Sequence, residues 1–125
     1  MNRYLTENDE LTEKIIGCAM RVSNTLGVGF LEKVYENALA IELRKAGLKV
    51  EQQKPLPVRY DGAIVGDYAA DIMVNESVLV ELEATKNIDD IHKAQLLNYL
   101  KASGLHVGLL LNFGTSKLGI RRMVL

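Results

Sequence analysis

Apolar residues in the first part of the chain recur at three- and four-residue steps. Leu11, Ile15, Ile16, Ala19, Val22 and Leu26 form one stripe, the signature of an amphipathic helix over Leu11 to Leu26. Thr12 or Asp9 stands where that helix would be capped. Gly27 and Gly29 interrupt the stripe, and the helical period resumes from Leu31 to Ala46 through Val34, Ala38, Leu39, Ile41 and Leu43, until Gly47 supplies a stop. Two helices therefore precede any strand. From Leu48 the pattern shortens into two extended pieces, LKVEQQK and PLPVRY, whose prolines exclude a helix interior, and a turn is expected at Asp61-Gly62. The segments AIVGDYAADIMV and SVLVELEA are rich in β-branched residues and predict a hairpin-like pair, joined by Asn75-Glu76-Ser77, in the middle of a sheet. Helical spacing returns from Asp89 to Ala102, with Ile91, Ala94, Leu97 and Leu100 apolar and Gly104 ending it. HVGLLLNF is too continuously apolar to have a wet face, and IRRMVL reads as a last edge strand after a loop at Gly114 to Lys117. The order α-α-β-β-β-β-α-β-β predicts an α/β fold with a mixed central sheet flanked by helices.

Composition narrows this picture. With 125 residues, 48% apolar and 25% charged, the chain has the make-up of one domain spanning 1–125, with no internal repeat or linker. Its longest apolar stretch, Val107 to Phe113, falls far short of the ~20 residues that cross a bilayer, and MNRYLTENDE lacks a leader's apolar region. A cytoplasmic protein without a membrane partner is expected. A net charge of −1 offers no global attraction to polyanions, so a nucleic-acid interface would have to be a local basic patch. The single Cys18 cannot form an internal disulfide and suits a small buried side chain better than a nucleophile.

Candidate chemistry lies in the acidic residues of the apolar strands. Asp71 sits between Ala70 and Ile72, and Glu81 and Glu83 project from one face of VLVELEA because side chains alternate along a strand. A carboxylate in such a setting is costly unless it is paired or coordinated. Hard divalent cations such as Mg2+ or Mn2+ prefer oxygen ligands and activate water for attack on phosphate esters, which makes phosphodiester hydrolysis the leading expectation. On the third helix Gln95 and Tyr99, four residues apart, share a face beside His92 and Asn98, and this polar strip could overhang Glu81 and Glu83. Glu32, three residues before Tyr35, could bring another carboxylate and a phenol to the same cleft. Taken alone, Gln95 and Tyr99 would pass for a structural pair. His92 alone would pass for a helix-face residue, since no histidine or cysteine stands at ligand spacing from it.

The run Gly29-Phe30-Leu31-Glu32-Lys33-Val34-Tyr35 resembles the signature of the GxxExxY proteins, a bacterial and archaeal family within the PD-(D/E)xK nuclease superfamily. The resemblance extends from about Leu11 through Arg122 and includes LPVRYDG, YAADIMV, AQLLNYL and VGLLLNFG in the family's order. Gln95-Leu96-Leu97-Asn98-Tyr99 is also similar to the QxxxY motif of RecB-type nuclease domains. It implies a restriction-endonuclease-like core and a metal-dependent nuclease acting on DNA more than RNA. Asp71 and Glu81 would hold Mg2+ or Mn2+, with Gln95 and Tyr99 beside the substrate and Glu32 an additional helix carboxylate. Where the superfamily has a lysine that orients the attacking water, this chain has Glu83.

Three consequences of Glu83 stand open. It could act as a base or bind a second ion; a lysine could have migrated, although Lys86 has the opposite strand parity and Lys93 lies roughly 160° from the Gln95 and Tyr99 strip; or the chain could be an inactive nuclease-fold module that binds nucleic acid or protein. Lys93, Lys101, Arg121 and Arg122 are candidates to neutralise phosphates, and a homodimer is compatible with the pattern.

Overall fold

The computed structural model describes residues 3–125, with side chains described from residue 8 onward. Met1 and Asn2, part of the N-terminal stretch read for a leader, lie outside the described residues. Three helices and five strands follow in the order α1 (Arg3–Leu26), α2 (Glu32–Lys45), β1 (Val50–Tyr60), β2 (Ala63–Val74), β3 (Val78–Glu83), α3 (Asp90–Ser103), β4 (Val107–Asn112) and β5 (Gly119–Val124). The strands form one mixed sheet in the order β1-β2-β3-β4-β5. All neighbours are antiparallel except β3 and β4, which α3 connects as a crossover.

Two apolar layers hold the sheet between its helices. On one face Ile15, Ala19, Val22, Leu39 and Leu43 of α1 and α2 pack with Ile72, Val74, Val80, Leu82, Leu109 and Leu111. On the other, Leu96, Tyr99 and Leu100 of α3 pack with Leu56, Met73, Leu79 and Leu110. Strands β3 and β4 are buried on both faces, which is why their sequences read as nearly continuous apolar runs. Among the described residues no helix is long and apolar enough to cross a membrane.

Two sequence expectations change. Helix α1 starts at Arg3 rather than near Leu11, so neither expected cap acts as one. Thr12 Oγ1 donates back to the Asp9 carbonyl at 3.0 Å, and the Asp9 carboxylate meets Arg122 of β5 at 3.0 Å. The extended pieces LKVEQQK and PLPVRY are one strand, β1, which tolerates Pro55 and Pro57 because it is an edge strand with no outer neighbour to receive N–H groups. Within the first piece Gln53, whose φ of 51° is left-handed, interrupts the ladder between the pairs Gln52–Ile72 and Lys54–Ala70, and the register shifts further on, between Val58 and Arg59. The hairpin turn at Asp61-Gly62 forms as expected, with both residues at positive φ.

The sheet forks at β2. Strand β2 pairs with β3 only from Ile72 to Val74, while toward its N-terminus it continues with β1 as a two-stranded arm down to the Tyr60–Ala63 pair. Asp71 stands at the fork.

Candidate active site

Continuing the β2–β3 register one step past the Ile72–Val80 pair sets Asp71 opposite Glu81. Leu79, Glu81 and Glu83 share strand parity, and Leu79 belongs to the layer under α3, so both glutamates rise on the α3 face. Because the ladder has ended, the Leu82 N–H lacks a backbone partner on β2 and donates instead to Asp71 Oδ2 at 2.9 Å. Asp71 is thereby locked to the end of β3.

Glu81 is the most perturbed of these groups. It is only 7% exposed, and its Oε1 is buried without a hydrogen-bond partner. Burial, and next the Asp71 carboxylate beside it, push its carboxyl up to about 10. Without a cation, Glu81 holds a proton at neutral pH. Glu83 is raised mainly by burial, against which His92 pulls it down while Glu32 and Asp71 press it up. Glu32, on the first turn of α2 and open to solvent on its outer side, is raised by partial desolvation and next by Asp71. Glu32, Asp71, Glu81, Glu83 and His92 are therefore linked in one chain of electrostatic contacts through Asp71 and Glu83, gathered from α2, β2, β3 and α3.

The gathering is not a closed cage. Among the described residues no three of His, Cys, Asp and Glu converge as a formed metal site. The chemistry of the donors still fits a hard cation, since Glu81 Oε1 is a buried oxygen with no donor and the Asp71 carboxylate stands beside it.

His92 is placed by its own helix end. Asp89 caps α3 by accepting from Ile91 N–H and His92 N–H, and His92 Nδ1 completes the box by accepting from Asp89 N–H at 3.3 Å. That bond leaves the proton of the neutral ring on Nε2, which faces Glu83 Oε2 at 3.5 Å. Gln95 and Tyr99 also meet as expected, with Gln95 Nε2 donating to the Tyr99 hydroxyl at 2.6 Å. Burial raises the Tyr99 hydroxyl, against which the bond from Gln95 pulls down, while the Glu81 and Asp71 charges press it further up.

Tyr35 is not brought to the cleft, which corrects the expectation that it joins Glu32 there. Its ring is fully buried and stacks on Phe113 with centroids 4.8 Å apart. Its hydroxyl donates to the Gly27 carbonyl at 2.6 Å and accepts from Phe30 N–H at 3.2 Å. Tyr35 thus secures the α1–α2 loop that leads into Glu32. Of the two lysines weighed as substitutes for the motif lysine, Lys93 pairs with Asp90 at 3.6 Å, and Lys86 is exposed on the loop after β3. Of the other cations named from sequence, Arg122 is tied to Asp9, Arg121 bonds the backbone of its own strand β5, and Lys101 faces a groove beside α3. Cys18 is half-buried, and burial followed by Glu42 pushes its thiol up, as suits an inert side chain.

Sequence reasoning missed two supports of the site. Glu36, buried on α2, accepts from Lys33 at 3.0 Å, Gln52 at 2.7 Å and Gln53 at 2.8 Å, and the same Gln53 amide reaches Asp71 Oδ1 at 3.3 Å. The left-handed backbone at Gln53 is what turns its side chain toward both carboxylates. Asn112, buried at the end of β4, accepts from Thr85 N–H and Gly114 N–H at 3.0 Å each and donates to the Thr85 carbonyl at 2.9 Å. At Gly114 any Cβ would collide with the Thr85 backbone, so this clamp fixes the exit of β3 just beyond Glu83.

The family model of the PD-(D/E)XK nuclease superfamily matches residues 9–123 of the chain. The chain belongs to the PD-(D/E)XK nuclease superfamily. A solved structure titled "Crystal structure of SSO0001" is similar over 98% of this chain and 61% of its own, with 18% identity and a TM-score of 0.55, a likeness that speaks for the fold. The chain spans about three fifths of that protein's length. A search of the curated proteins finds no match. PD-(D/E)XK nucleases generally use divalent metal ions, which agrees with the donor set at the fork.

Proposed function

We propose that the chain is a nuclease of the GxxExxY branch that hydrolyses phosphodiester bonds of DNA or RNA in the cytoplasm, with Asp71 and Glu81 holding Mg2+ or Mn2+. The observation that carries this reading is the buried Glu81 carboxyl, orphaned at Oε1 and set against Asp71 where the sheet forks. When bound, the ion would supply Lewis acidity toward the phosphoryl oxygen and lower the pKa of a water. Glu83, whose carboxyl is raised from its ordinary value mainly by burial, is the proposed proton acceptor, and His92 Nε2–H keeps its carboxylate oriented. Gln95 and Tyr99 form a hydrogen-bonded pair on the side where the substrate would lie, and Glu32 adds a carboxylate within electrostatic reach of Asp71 and His92.

Cleavage assays with Mg2+ and Mn2+ on single- and double-stranded DNA and RNA test this reading. Native protein is expected to cleave, and Asp71→Ala to abolish cleavage. Cleavage unaffected by Asp71→Ala would refute the site. A second reading, a noncatalytic module that binds nucleic acid or protein, is favoured by Glu83 pairing with His92 where the superfamily has its lysine. It prevails if native protein is inert and Glu83→Lys becomes active.

A further inference from the structure

Beside the carboxylates a groove of about 980 Å³ runs between α3 and the β1–β2 arm. Tyr68 of the arm and Tyr99 of α3 both line it and pack against each other, with ring centroids 5.6 Å apart and planes tilted by 43°, and join the two walls. Arg59 contributes a cation from the arm wall and Lys101 one from the helix wall, and no carboxylate is among the described residues that line it. In a chain whose net charge is −1, this is a local positive site. Tyr68 remains 54% exposed, a large ring left half uncovered in a groove otherwise walled by Pro57, Ile91 and the polar face of α3.

Anions alone would call for the cations but not for an open aromatic face. A duplex offers side chains its phosphates and base edges, whereas its base faces are covered by stacking. Only an unpaired strand presents both a phosphate chain and free π-faces, and such strands are held by cations that track the backbone and aromatic rings that stack the bases. The groove also meets the fork, because Tyr99 lines it while lying within electrostatic reach of Glu81 and Asp71.

We propose that this groove is a track for an unpaired nucleic-acid strand, with Tyr68 stacking a base and Arg59 and Lys101 neutralising phosphates on opposite walls. That the track delivers the strand to Asp71 and Glu81 rests on the nuclease reading; the binding itself does not.

Fluorescence anisotropy with short labelled oligonucleotides, on the full chain in EDTA at low salt, tests the two separately. Single-stranded DNA and RNA are both expected to bind at least tenfold more tightly than a blunt duplex, since the π-faces and phosphates are common to them. Tyr68→Ala should weaken binding roughly 10- to 100-fold, the worth of one stacked base, while Tyr68→Phe keeps the face and should bind like native. Arg59→Ala should weaken binding and reduce the slope of log K against log salt by about 0.7, one phosphate contact on a single strand. Equal affinity for duplex and single strands, no binding of either, or a Tyr68→Ala protein that binds like native while melting like native would overturn the proposal. So would a change of oligomeric state on Tyr68→Ala without a change in binding, which would make the groove an interface between copies. Binding retained in a chain that never cleaves would sink the nuclease reading and leave the track; cleavage of single strands, with their binding, unaltered by Tyr68→Ala would do the reverse.

Discussion

Replacing Glu81 by glutamine isolates the energetic consequence of burying a carboxyl beside Asp71. In the metal-free protein Glu81 ionises only near pH 10, whereas its ordinary value is 4.5. Between those limits the folded state keeps a proton that the unfolded chain releases, so the stability associated with Glu81 is fully present below 4.5 and is lost progressively as pH rises toward 10. Each pH unit in that window costs about 1.4 kcal/mol, which accumulates to about 3 kcal/mol at neutral pH. Glutamine keeps the shape of the protonated carboxyl and does not titrate. Glu81→Gln should therefore be more stable than native by about 3 kcal/mol at pH 7, a rise of roughly 10 °C in melting temperature, and nearly equal to native at pH 4.5. Thermal melts of both proteins in EDTA, from pH 4.5 to 8, measure this, because titrating groups remote from Glu81 cancel in the difference. Adding Mn2+ at pH 7 should then stabilise the native chain and leave the variant unmoved. A melting difference that is constant with pH, or a variant less stable than native at pH 7, would refute the argument.

Three further substitutions probe the surroundings of that group. Glu83→Lys replaces the proposed proton acceptor by a cation and should lower metal-dependent cleavage on the order of 100-fold, the scale of one general base; unchanged rates would show that Glu83 is not at the reacting centre. Gln53→Ala removes the amide that joins Glu36 to Asp71 and should lower Mn2+ affinity about 10- to 100-fold with the helical circular dichroism unchanged. Asn112→Ala strips three hydrogen bonds from Thr85 and Gly114 in a buried setting and should cost about 2–4 kcal/mol by urea unfolding; a loss below 1 kcal/mol would mean that the clamp does not hold the β3 exit.

What was legible from sequence were the elements whose signals are local. The bodies and C-terminal stops of α2 and α3, the doubly buried β3 and β4, and the Asp61-Gly62 turn follow from periodicity and turn chemistry. The parity of Glu81 and Glu83, together with the four-residue step from Gln95 to Tyr99, was enough to expect one acidic centre under α3. What escaped depends on partners distant in the chain. Residues before Leu11 carry no apolar stripe, so the start of α1 was invisible, and the left-handed Gln53 gives no glycine or asparagine to announce it. Glu36 looked like any surface glutamate of an amphipathic helix until the sheet brought Gln52 and Gln53 onto it. Tyr35 was misjudged because a shared helical face with Glu32 says nothing about where the core ends, and the core ends between them. Arg59 and Tyr68 gain meaning only because the arm runs on past the fork and faces α3.

The most direct test of the central claim, that Asp71 and Glu81 together hold a divalent cation, is a calorimetric titration of Mn2+ into the native chain and Asp71→Asn at neutral pH, in two buffers of different ionisation enthalpy. The account predicts saturable binding by the native chain with release of about one proton per ion, since Glu81 must ionise to bind, and loss of that binding in the variant. Binding without proton release, or equal affinity in Asp71→Asn, would contradict it.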